Sequence, residues 1–181
     1  MTRAVLAATL VPMSLAELLV ALALLGLTLS GLLLALEQGQ QAYAIGAARV
    51  EAQQDGRIAV ERLAREIRGA GAGGRAFAAI SIAEPQRIVL HLDKSGDGVI
   101  NQRGETITWR LTGTVLRRDA GGGAQPVTNG VQGLALDYRD ARGQPTQVPG
   151  EVRTVGITLT TAADRGAGAT TFTTEVRLRN R

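Results

Sequence analysis

Hydrophobic and polar positions divide this 181-residue chain into three regimes. From Leu15 to Leu36 the chain is apolar, with Glu17 as its only charge. A run of about 22 such residues makes about 33 Å of helix, enough to cross a hydrocarbon core of about 30 Å. It is too long for the apolar region of a cleaved secretory signal, and no small-residue cleavage site followed by a mature start stands after it. From Glu37 to Ala70 the pattern becomes amphipathic. There is no proline, and Ile45, Ala48, Ala52, Ala59, Leu63, Ile67 and Ala70 approximate one helical stripe. Arg57–Glu61, Glu61–Arg65 and Arg62–Glu66 stand four apart, where charges meet on an exposed face. The glycines of "GAGAGG" then end the helix. One continuous helix is therefore expected from about Ser14 to about Arg68. Gly46 and Gly56 within it read as flexible or close-packed points, not as ends.

After Gly74 the period changes to two. "AFAAISIA", "RIVLHLD", "ETITWRLTGTVLRRD", "VQGLALDYRD", "EVRTVGITLTTA" and "TTFTTEVRLRN" read as strands, separated by Gly-, Pro- and Asp-rich turns. A hairpin is expected about Thr112-Gly113. Strand after strand with short turns predicts an antiparallel meander, and the helical stripe can cover one of its faces. The fold class is α+β: a long N-terminal helix packed on a C-terminal antiparallel β-sheet.

The head of the apolar run has its own signal. "SLAE" is a capping box, with Ser14 as N-cap and Glu17 reaching back to it. A capping acid and an acid kept for a partner are both open readings of Glu17 on these residues.

Charge changes the picture only in the second half. Residues 1–48 hold Arg3, Glu17 and Glu37, so the remaining 133 carry 19 of 20 basic and 14 of 16 acidic groups. The balance is compatible with nucleic-acid contact but does not imply it, because the basic residues are scattered and aromatics make up 3%. Cysteine is absent, which excludes disulfides, thiolate metal sites and thiol nucleophiles.

Candidate chemistry is sparse. In "DKSGDGVIN", Asp93, Ser95, Asp97, the Val99 carbonyl and Asn101 have the order of the first half of an EF-hand calcium loop. The closing acid is one residue late, at Glu105, and Asp-Gly turns are also ordinary hairpin chemistry, so calcium binding and a plain turn both stand. His91, the single histidine, reads as a strand residue and not a base. No nucleophile–base order, metal spacing or phosphate loop stands out, and no enzyme activity is expected.

"PMSLAELLVALALLGLTLSGLLL" resembles the N-terminal segment of type IV pilins and type II secretion pseudopilins. The resemblance places Met13 as the first mature residue after leader cleavage and N-methylation, and Glu17 as the family's assembly acid. That acid pairs with the N-terminal amine of a neighbouring subunit. Gly26 falls where many pilins carry a glycine. "LHLDKSGDGVINQRGETITWRLTGTVLRRDAGGGAQPVTNGVQGLALDYRD" and the ending "EVRLRN" look like minor pilins and J- or W-type pseudopilins. Pro12 stands where the family leader ends in glycine, Leu34 where proline is common, and the major-pilin cysteine pair is missing. The last two departures favour a minor subunit.

The resemblance implies a leader-like segment over 1–12, a transmembrane or filament-core helix over 13–36, its amphipathic continuation over 37–70 and a β-rich domain over 71–181. It implies a structural subunit of a pilus or secretion filament, anchored in the bacterial inner membrane before assembly with its β domain periplasmic. The implied partners are other pilin or pseudopilin subunits, an inner-membrane assembly platform and a prepilin peptidase. The alternative from another class is a bitopic membrane-anchored β domain that binds calcium or a ligand.

Overall fold

A computed structural model of the chain describes residues 14–73, 76–162 and 168–180. The leader-like segment, with Pro12 and Met13, lies outside the described residues. The chain divides into two compact units, Met1–Ala44 and Ile45–Arg181. Helix α1, Leu15–Gly69, is continuous from the first into the second.

In the first unit every described residue from Ser14 to Tyr43 is exposed. Leucine dominates the surface, with Leu15 at 76% and Leu27 at 72% exposure. This part is long and apolar enough to cross a membrane, with a mean hydropathy of 2.5 over its most apolar window. The hydroxyls of Thr28 and Ser30, in the middle of the apolar run, fold back on the helix's own carbonyls. Thr28 Oγ1 donates to the Leu25 carbonyl at 2.9 Å and Ser30 Oγ to that of Gly26 at 2.8 Å. Neither then needs a partner from outside, which is the condition for sitting in lipid.

In the second unit α1 buries Gly56, Ala59, Val60, Leu63, Ala64 and Ile67. The later members of the expected stripe, Ala59, Leu63, Ile67 and Ala70, are in the core. Ile45 is exposed, so burial begins later than the stripe does. The helix ends at Gly69. Gly71 then takes a left-handed φ of 78°, and Asn180 Nδ2 donates to the carbonyls of Gly69 and Ala70 at 3.3 Å each.

Among the described residues, eight strands follow: β1 (Ile80–Glu84), β2 (Arg87–His91), β3 (Thr106–Thr112), β4 (Val115–Asp119), β5 (Gln125–Thr128), β6 (Val131–Arg139), β7 (Thr154–Ala162) and β8 (Ala169–Arg177). All pairings are antiparallel between chain neighbours. They form two sheets instead of the single expected one: β1 to β5 in order, and β6 to β8 in order. The hairpin between β3 and β4 turns on Gly113, whose φ of 59° suits a two-residue loop closed by the Thr112↔Val115 pair. In β7, Val155, Ile157, Leu159 and Thr161 are buried and alternate with half-buried neighbours. A register shift between Val131 and Gly133 in β6 lets both Val131 and Leu134, three apart, face inward.

One core joins the helix to both sheets. Leu63 and Ile67 of α1 belong to the same cluster as Ile88, Ile107, Trp109 and Leu116 of the first sheet and Val155, Ile157 and Leu159 of the second. A single helical stripe thus covers apolar faces of two sheets. A polar clamp reinforces it. Trp109 Nε1 donates to Glu66 Oε2 at 2.6 Å, and Arg118 Nε donates to both Glu66 oxygens at 2.8 and 3.1 Å.

Candidate functional site

Ser14 and Glu17 form the capping box read from the sequence, with both halves made. The Glu17 amide donates to Ser14 Oγ at 3.2 Å, and the Glu17 carboxylate accepts from the Ser14 amide at 2.8 Å and its hydroxyl at 3.1 Å. Both residues are exposed. The carboxylate therefore sits at the positive end of the α1 dipole, in the helix's first turn. Of the sequence-assigned assembly and cleavage residues, Glu17 alone is described.

The Asp93–Asn101 loop is organised by two carboxylates turned onto backbone amides. Asp93, 8% exposed, accepts from the Gly96 and Gly98 amides at 2.6 and 2.9 Å and from Ser95 Oγ at 3.1 Å. The Gly98 amide, above all, holds its carboxyl below the usual carboxylate range. Asp97 turns the other way and takes the Val99 amide at 2.9 Å. Of the candidate calcium ligands, Asp93 and Ser95 are brought together, and Asp97 is engaged in its own local turn. Among the described residues, no group of three or more His, Cys, Asp or Glu is placed to hold a metal ion.

Glu105 closes the loop. It is fully buried, and its oxygens accept from the amides of Lys94, Ser95, Asn101 and Gln102 at 2.8 to 3.2 Å. The Gln102 amide, with help from the others, holds its carboxyl down at about 2, against the pull of burial. The sequence signalled this residue only as an acid one place late for calcium. Its spacing fits an acid that gathers the loop's own amides. His91, in β2, bridges Thr106 Oγ1 through Nδ1 at 3.0 Å and Ser81 Oγ through Nε2 at 2.9 Å. Burial pushes its pKa below the ordinary imidazole value. Both nitrogens are thus engaged with strand hydroxyls, as expected of a strand residue.

The chain matches no protein-family model, and comparison with curated proteins finds no match either.

Proposed function

We propose that the chain is a minor pilin- or pseudopilin-type subunit: a non-enzymatic building block held in the bacterial inner membrane and then incorporated into a pilus or secretion filament. One observation carries the reading. An acid stands at the head of a fully exposed apolar helix, and that helix runs on without a break to become the core helix of a β domain. An exposed leucine surface of this size needs lipid or other helices around it. A carboxylate at its entry is costly there unless a cation neutralises it. The free amine of a neighbouring subunit's Met13, after cleavage between Pro12 and Met13 by a prepilin peptidase, supplies that cation. The β domain is then displayed on the extracytoplasmic side, where it meets other subunits.

A second reading is favoured by the Ser14 bonds, which already satisfy Glu17 within its own helix. There the chain is a bitopic membrane-anchored β domain with Met13 uncleaved. Mass spectrometry of the protein from membranes separates the two. A mature N-terminus at Met13 is expected, and an intact leader-like segment would transfer the case to the anchored β domain. Glu17→Ala should block filament incorporation while leaving membrane level and the β-domain melting temperature unchanged.

A further inference from the structure

The three-stranded sheet ends on β8, and the outer edge of that strand is open. Its nine residues pair with β7 in unbroken register from Thr154↔Arg177 to Ala162↔Ala169. On the other side, no backbone hydrogen bond among the described residues reaches it. β8 has no proline, lysine or bulge, and its two charges, Glu175 and Arg177, stand at its C-terminal end, beyond the Thr171–Thr174 stretch. It is rich in threonine, a residue suited to strands. An open, regular edge of this length is a template for another strand.

Beside that edge lies a cleft of about 590 Å³ between α1 and β8. Thr171 to Thr174 make its strand wall, and the helix wall carries Arg57, Glu61, Arg65 and Arg68. Arg57 and Glu61 neutralise each other at 2.9 Å. Arg65 and Arg68 are exposed and make no ion pair among the described residues. The cleft therefore keeps two unmatched positive charges next to unpaired backbone. Three residues apart, these arginines stand ~4.5 Å from each other along the helix axis. Side chains on one face of a strand repeat at ~6.7 Å, within the reach of flexible arginine stems. A strand laid along β8 with acids at alternate positions would set successive carboxylates against successive guanidiniums.

We propose that β8 and this cleft form a strand-addition site for an extended acidic segment of a partner protein, its alternating carboxylates facing Arg65 and Arg68. Main-chain hydrogen bonds to β8 supply the affinity, and the two guanidiniums select the acids. A second copy of this chain fits less well, because pairing β8 with β8 brings the two sets of arginines toward each other. The inference stands apart from the filament reading and holds equally for an anchored β domain.

The test uses the full chain in detergent and three probes: a nine-residue peptide alternating Glu with Val, a block isomer of it, and the alternating peptide N-methylated throughout. The alternating peptide should bind and slow hydrogen exchange at β8 amides. The block isomer and the methylated peptide should bind roughly tenfold more weakly or worse. The double variant R65E/R68E should lose roughly tenfold in affinity while its melting temperature stays unchanged. Equal binding by the methylated peptide, equal binding by R65E/R68E, or no protection at β8 would overturn the proposal. So would peptide-independent self-association that protects β8.

Discussion

Glu105 and Glu66 are both acids kept largely out of water, each by a different set of donors. Glu105 relies on four backbone amides, and its carboxyl is held at about 2, below its value in the unfolded chain. A group shifted this way contributes stability that is fully present above the unfolded pKa and lost as pH falls through the folded one. The loop should therefore loosen between about pH 4.5 and about pH 2. Hydrogen exchange at Asn101 and Gln102 would report it, and Glu105→Gln should lower the melting temperature at neutral pH while flattening this acid dependence. Glu66 relies on side chains instead, so Glu66→Gln should cost about 1–2 kcal/mol by leaving Arg118 without its charge partner. Thr161 offers the opposite case. It is buried, and its hydroxyl has no partner among the described residues. Thr161→Val should raise stability by about 1 kcal/mol in denaturant titration, because the shape is kept and an unsatisfied oxygen is removed.

Within elements, two glycines of α1 that look equivalent in the sequence are not. A Cβ on Gly56 would come 2.5 Å from Phe172 Cε2, whereas one on Gly46 would meet nothing within 4 Å. Gly46→Ala should stabilise by up to about 1 kcal/mol through helix propensity alone. Gly56→Ala should lose that gain and more, a net cost of about 1 kcal/mol, because the ring of a strand residue must move. Thermal melts of the pair check the sign difference. The helix itself was legible because its signals are local: a Ser-x-x-Glu start, an apolar run, a late stripe and a glycine stop. Six strand-bearing segments were legible from alternation. What escaped was set by distant partners. β5 was not among the segments read as strands; it contains Pro126, and it forms at the edge of its sheet, where a missing N–H is tolerated. The split into two sheets follows from which strands pair, and alternation is blind to pairing. Glu66 read as one half of a solvent-facing pair with Arg62. The two do lie 3.7 Å apart, but the carboxylate's shorter bonds go to Trp109 and Arg118, residues 43 and 52 positions away.

At the scale of the molecule, the same helix serves two solvents. Its first half presents leucine to its surroundings, and its second half buries Leu63 and Ile67 under both sheets. Leu63, 1% exposed, is the tie between them, and Leu63→Ala should destabilise the second unit by about 2–5 kcal/mol in denaturant titration. The Trp109–Glu66 bond lies on this seam, and Trp109 is the single tryptophan of the chain. Its fluorescence is therefore a one-site reporter. An indole fully buried and donating to a carboxylate emits from a dry environment, and it turns wet when α1 lifts from the first sheet. Red-shifted emission would mark that separation, without a label and without contribution from the apolar half of the helix.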